Sequence, residues 1–296
     1  MLTIPNFTDR CSAAITEKGT ILICGLDPQL RYMPAHLVRM MADKYGRSLE
    51  AIGRMFYEFN KQIIDAVEGY VFAVKPQMAF YEAYGVWGIW AFQKTVDYAR
   101  KKGLIVIEDA KRGDGGDTAV LYAAGHIGEV DFFGNEKDPT VLKTRKSPIR
   151  VDCITVQPGI GSACILPFAA AIKQHGTGIF VVDKSSFDPN SEVEQLVTVN
   201  GIPVWRETAR LVRVWQAGTE GSLYGYFNMG VVMGATFPND AVEMREELPM
   251  AWFLIPGYGG QGGTAAGAVV GINKDGLGGG VNNSRGIIFA FRKGQF

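Results

Sequence analysis

Two carboxylates and a lysine stand together in Asp109-Ala110-Lys111-Arg112-Gly113-Asp114, directly after the apolar run Leu104-Ile105-Val106-Ile107. Side chains of a strand alternate between its faces, so Asp109 and Lys111, two apart, point the same way. A carboxylate and an ammonium at the mouth of an apolar sheet are costly unless they are paired or used in chemistry. That makes the block a functional-site candidate, with Lys111 flanked by Asp109 and Asp114, neighbours that favour its charged form. A salt-bridged strand end that only caps the sheet is the plainer reading of the same residues. Three further segments put polar groups just past apolar runs. Ile21-Leu22-Ile23-Cys24-Gly25-Leu26 leads into Asp27-Pro28, Val71-Phe72-Ala73-Val74 into Lys75-Pro76-Gln77, and Trp252-Phe253-Leu254-Ile255 into the glycine-rich stretch that begins Pro256-Gly257.

Something must hold these strand ends side by side, and the order of elements says what. Strand-like runs near 21–26, 71–76, 104–109, 153–156, 178–182, 230–234, 252–255 and 280–281 alternate with helical patterns. In the first long helix, about Leu49 to Glu68, the residues Ile52, Phe56, Phe59 and Ile63 mark one face at helical spacing. Eight strands separated by helices predict an α/β fold, a single parallel (β/α)8 or TIM barrel over residues 1–296, better than an open sheet. Functional groups at the C-terminal ends of many strands are what such a barrel offers. The polar stretch Gly134 to Ser147 reads as an inserted, solvent-facing loop.

Composition narrows the function classes. A chain of 296 residues that is 47% hydrophobic can bury a barrel-sized core. Thirty basic residues balance thirty acidic ones, so no global positive field recruits nucleic acid or an anionic membrane. The basic stripe Arg206, Arg210 and Arg213 has the spacing of one solvated helix face. Residues Met1 to Asn6 lack signal-peptide character and no run approaches a membrane span, so the expectation is a soluble, cytoplasmic protein. Cys11, Cys24, Cys153 and Cys164 lack paired metal spacing and read as reduced, packed thiols. His36, His126 and His175 are isolated, which makes metal-hydrolase and Ser-His chemistry poor fits.

The strand-end blocks, taken in order, resemble a known family, orotidine 5′-phosphate decarboxylase in its longer bacterial-type branch. The resemblance rests on Leu26-Asp27-Pro28, Val74-Lys75-Pro76-Gln77, the Asp109 to Asp114 block, Gly234-Ala235-Thr236-Phe237-Pro238, the Pro256 to Gly262 block and Asn283-Ser284-Arg285-Gly286-Ile287. It implies decarboxylation of orotidine 5′-monophosphate to uridine 5′-monophosphate, the last step of de novo pyrimidine synthesis, with no metal and no organic cofactor. It also implies a homodimer with shared active sites. By resemblance Lys75, Asp109, Lys111 and Asp114 are catalytic. Lys111 would be the cation and proton donor at C6, Asp109 would lie near the substrate carboxylate, and Lys75 would pair with Asp109 and the ribose. Asp114 would enter from the partner chain. Asp27 and Thr118 match ribose-contacting positions, with Thr118 reaching across the dimer. Phosphate falls to the glycine-rich loop: backbone N–H groups around Gly262, the amide of Gln261 and the forked guanidinium of Arg285 all suit an anion.

The chain departs from the family pattern in places. Gly115 stands where an isoleucine commonly lines the pyrimidine pocket, Asp117 replaces a small neutral residue, and Lys184-Ser185-Ser186-Phe187 replaces the usual Lys-Thr-Ser-Asn. Two other functions share these residues. One is a magnesium-dependent sugar-phosphate barrel lyase with the same Asp-x-Lys-x-x-Asp pattern, and the other is a catalytically weakened nucleotide-binding barrel.

Overall fold

A computed structural model describes residues 6–134, 137–187 and 192–293. Helix α1 (Phe7–Lys18) leads into β1 (Leu22–Leu26), and α2 (Ala35–Tyr45) and α3 (Leu49–Val67) precede β2 (Ala73–Pro76). Then come α4 (Ala79–Glu82), α5 (Gly85–Lys101), β3 (Ile105–Arg112) and α6 (Gly116–Ile127). A hairpin of β4 (Glu129–Phe133) and β5 (Leu142–Lys146) is followed by β6 (Cys153–Val156), α7 (Ser162–His175) and β7 (Gly178–Lys184). Next are α8 (Val204–Trp215), β8 (Phe227–Met233), α9 (Pro238–Glu247) and β9 (Ala251–Ile255). Finally α10 (Ala265–Val269), β10 (Gly279–Asn283) and α11 (Arg285–Ile288) complete the order.

Strands β1, β2, β3, β6, β7, β8, β9 and β10 pair in that sequence, every pair parallel, and β10 returns to β1 to close the barrel. This is the eight-stranded α/β barrel expected from the sequence. Alternation along β3 sorts its residues: Ile105 and Ile107 pack inside with Ile23, Phe72, Phe180 and Leu254, whereas Val106 packs outward in the helix layer. The same parity aims Asp109 inward at the strand's C-terminal end.

The helices form where the pattern asks for them. Ser48 caps α3 by accepting the Ala51 N–H at 3.1 Å, and Phe56 and Phe59 bury the face marked by the sequence. Helix α1, which hydrophobic spacing alone did not reveal, lays Phe7, Cys11 and Ile15 across the N-terminal mouth of the barrel. Phe7 meets Phe180 edge-on at 5.9 Å between centroids. Burying a ring of this size is worth roughly 1.5–3 kcal/mol. A Cβ on Gly178 would come within 2.3 Å of the Phe7 ring, which is why β7 opens on glycine. The four cysteines are free and buried, as packed thiols should be.

The expected loop at 134–147 is corrected, although residues 135 and 136 lie outside the described residues. Leu142–Lys146 is a strand paired antiparallel with Glu129–Phe133. Both faces of this ribbon are largely exposed, so no apolar alternation marked it in the sequence. Arg145 covers Phe132, its guanidinium 4.4 Å from the ring centroid. The basic stripe on α8 is neutralised: Arg206 and Arg213 pair with Glu243 and Glu247 at 2.9 Å each, and Arg210 with Glu207 at 3.6 Å. No helix among the described residues is long and apolar enough to cross a membrane.

Candidate active site

The end of β3 is not a regular strand. Glu108 opposes Ile154 and Arg112 opposes Val156, so four steps on β3 match two on β6 and the segment Asp109-Ala110-Lys111 arches out as a bulge. Lys111 sits at φ 50°, a left-handed conformation that costs a residue with a side chain about 1–2 kcal/mol. Its N–H donates to Thr155 Oγ1 at 2.9 Å, which ties the arch to β6. Bulges of this kind re-aim side chains beside active sites.

Asp109 is the hub of the arrangement. Lys111 Nζ lies 2.5 Å from its Oδ1 and Lys75 Nζ 2.8 Å from its Oδ2. Gln77 Nε2 donates to Oδ2 at 3.0 Å and Thr155 Oγ1 to Oδ1 at 3.0 Å. Burial alone would raise the pKa of this carboxyl, but the Lys75 and Lys111 ammoniums outweigh it and hold Asp109 well below the usual carboxylate range. Burial works against the charge of Lys75 too, and the carboxylates of Asp109 and Asp27 override it to raise its pKa. At the end of β1, burial pushes Asp27 up, partly offset by Lys75. Asp27 Oδ1 is buried with no hydrogen-bond partner, an acceptor suited to a ligand hydroxyl.

The depressed pKa of Asp109 fixes the sign of a pH effect. Its contribution to stability is full above the unfolded value of about 3.9 and declines as pH falls toward the lower folded value. Urea unfolding of the wild type and Asp109→Asn is therefore expected to show a stability gap at pH 7 that narrows at pH 3. An equal gap at both pH values would mean that Asp109 is not ionised in this cluster.

These residues line one side of a cavity of about 400 Å³ at the C-terminal mouth of the barrel. Asp27, Lys75, Asp109 and Lys111 face Ser186, Gln261 and Arg285, with Val182, Val232 and Leu254 beneath and Phe80, Phe187 and Tyr258 around the rim. The glycine-rich turn after β9 brings Gly257 and Gly260 to the wall, and Gly260 lies beside the Arg285 guanidinium. Such close backbone approach is how glycine loops hold phosphate oxygens.

Six of the nine residues singled out from sequence thus share one cavity: Asp27, Lys75, Asp109, Lys111, Gln261 and Arg285. Asp114, Thr118 and Gly262 are not in its lining. Asp114 is exposed and accepts the Gly115 N–H at 2.7 Å, and Thr118 is exposed in the first turn of α6. Gly262, at φ 95°, shapes the turn behind Gln261. Gly115 is likewise outside the lining of this cavity. A Cβ there would stand 2.9 Å from Ile160 Cδ1, so Ile160 occupies the space beside it.

Sequence reasoning passed over Gln77 and Ser186. Gln77 had the same signal as Lys75, a polar residue just past an apolar strand. Ser186 was visible only within a departure from the family pattern, yet its Oγ donates to Gln261 Oε1 at 2.5 Å and orients that amide. Among the described residues no three His, Cys, Asp or Glu side chains gather as a metal site would require.

Fold and site together define a parallel barrel enzyme with a Lys-Asp-Lys cluster and an anion-suited loop in one cavity at its C-terminal mouth. Residues 21–291 match the orotidine 5′-phosphate decarboxylase / HUMPS family. The orotidine 5′-phosphate decarboxylase of Rhodopirellula baltica is 35% identical, the match spanning 98% of this chain and 91% of that protein. Its namesake in Caldicellulosiruptor saccharolyticus is 34% identical over 97% of this chain and 90% of its own. In structure, the chain is similar to a Toxoplasma gondii protein assigned as an orotidine-monophosphate decarboxylase, with a TM-score of 0.76 and 25% identity over 96% of this chain and 89% of that one. It is also similar to Leishmania donovani UMP synthase, with a TM-score of 0.74 and 25% identity over 98% of this chain and 55% of that one. The chain belongs to the orotidine 5′-phosphate decarboxylase / HUMPS family.

Proposed function

We propose that this chain decarboxylates orotidine 5′-monophosphate to uridine 5′-monophosphate, using its own side chains and no metal or organic cofactor. The observation that carries the reading is the Lys75-Asp109-Lys111 cluster, with Lys111 held 2.5 Å from Asp109 on the cavity wall. When the C6–carboxylate bond breaks, CO2 departs and the electron pair stays on C6 in the plane of the ring, where the π system cannot spread it. A fixed ammonium beside C6 lowers the energy of that developing charge. Lys111 then gives its proton to C6, which completes the product, and recovers a proton from solvent. Asp109 aims Lys111 and lies where the substrate carboxylate would be.

The rest of the cavity fits the rest of the nucleotide. The unpartnered Asp27 Oδ1 accepts a ribose hydroxyl, and Gln261, Arg285 and the glycine-rich turn take the phosphate. Asp114 and Thr118, exposed at the edge of the mouth, are read as contributions to the cavity of a second chain in a two-fold dimer.

Loss of ultraviolet absorbance by orotidine 5′-monophosphate, followed in excess chelator, tests the assignment; Arg285→Ala and the phosphate-free nucleoside extend it. Wild-type turnover is expected to survive chelation, and the variant to lose most of its preference for the phosphorylated substrate, because binding energy from a non-reacting phosphate orients the ring. Activity abolished by the chelator would favour a metal-dependent lyase. An unchanged preference in the variant would remove Arg285 from the phosphate site.

A further inference from the structure

A second bulge ends β7. Val182 opposes Val232 of β8 while Lys184 opposes Met233, so Asp183 is the surplus residue. Phe180 and Val182 face the barrel interior, and the bulge turns Lys184 away from it. Lys184 is wholly buried, its Nζ 3.7 Å from Glu194 Oε2 and 3.7 Å from Asp240 Oδ2, and 4.0 Å from the Phe237 ring centroid. It is not part of the cavity lining. Burial, and then the Glu194 carboxylate, push Asp183 well above the usual carboxylate range.

Glu194 carries this buried charge to the backbone of the next loop. The Ser185 N–H donates to both of its carboxylate oxygens at 3.1 Å, and its own carbonyl accepts the Trp205 N–H at 3.1 Å, which fixes it to the start of α8. Ser186 follows at once. Its Oγ donates to Gln261 Oε1, and its carbonyl accepts the Thr236 hydroxyl at 3.3 Å. A Cβ on Gly234 would come within 2.7 Å of Ser186 Cα, and one on Gly257 within 2.6 Å of Ser186 Cβ. With its sides confined in this way, Ser186 has its position along the strand direction set by Glu194 behind it.

We propose that Lys184 and Glu194 are positioning residues: the buried ion pair anchors the Ser185-Ser186 backbone, and through Ser186 it sets where Gln261 presents its amide to the phosphate-bearing end of the substrate. The proposal rests on the reading of the cavity as the orotidine 5′-monophosphate site. It assigns the pair no part in the reaction at Lys111, so its loss acts on substrate holding more than on chemistry.

The test is steady-state kinetics of Glu194→Gln and Lys184→Met on orotidine 5′-monophosphate, with thermal melting to establish folding. The expected result is a rise in KM of about 10-fold with a smaller change in kcat, the scale of a sub-ångström misplacement of a binding group. In a Ser186→Ala background Glu194→Gln is expected to add little, because residues acting through one another are not additive. If Lys184→Met does not fold, Glu194→Gln carries the test, since Glu194 is partly exposed. Unchanged KM in a folded Glu194→Gln variant, or an equal further rise in the Ser186→Ala background, overturns the proposal while the cavity assignment stands. A wild type that neither binds nor converts orotidine 5′-monophosphate overturns both.

Discussion

Lys111→Ala is expected to lower turnover of orotidine 5′-monophosphate by at least ~100-fold, the scale for removing one preorganised electrostatic group from a transition state. Two features of the site make the substitution a clean one. Alanine adopts the left-handed backbone at position 111 no more easily than lysine, so the arch of β3 is no less strained than before. Lys75 still pairs with Asp109 at 2.8 Å, so the carboxylate keeps a cationic partner. What disappears is the ammonium on the cavity wall and the proton it would deliver. Absorbance kinetics with circular dichroism as a check on folding would measure it. Near-normal turnover in a folded variant would show that the charge beside C6 comes from elsewhere, and the assignment of Lys111 would be wrong.

The second large effect is a recovery. Lys111→Ala chains and Asp114→Ala chains are each expected to be inactive alone, and their mixture to regain activity under conditions shown to exchange subunits. Asp114 is exposed and outside its own chain's cavity, and around it Val120, Leu121, Ile160 and Leu166 expose apolar side chains on α6 and α7 and in the loop between β6 and α7. An exposed apolar patch beside a charged loop is the kind of surface a second copy covers. In an isologous dimer each chain gives and receives the same element. A hybrid then holds one site with both defects and one with neither, and with half the dimers hybrid roughly a quarter of all sites are intact. Decarboxylation after mixing is the readout. No recovery would place Asp114 in the site of its own chain or outside the chemistry altogether.

The barrel was legible because buried parallel strands are continuous apolar runs and their partner helices carry a one-sided stripe, as in Ile105-Val106-Ile107 and in Ile52 to Ile63. Strand-end polar residues then marked Asp27, Lys75, Asp109 and Lys111, and the resemblance to a known family added Gln261 and Arg285. The missed parts fail for physical reasons. The β4–β5 ribbon has no buried face and therefore no period. Helix α1 closes the barrel with three residues, Phe7, Cys11 and Ile15, embedded in a polar sequence. Ser186 matters through its hydrogen bond to Gln261, 75 positions away, and spacing in the sequence carries no trace of such a contact. The bulges in β3 and β7 are also silent, since nothing in Asp-Ala-Lys or Val-Asp-Lys announces a surplus residue.

The left-handed backbone of Lys111 has one further meaning. Selection for persistence of the fold alone would replace this lysine with glycine, which adopts φ 50° without penalty and would relax the arch. On the proposed function, a lysine at this position sets folding robustness against activity. Stabilising changes in this barrel are therefore best sought far from residues 109–112, and a variant that gains heat resistance by easing that arch would be expected to surrender the reaction along with the strain.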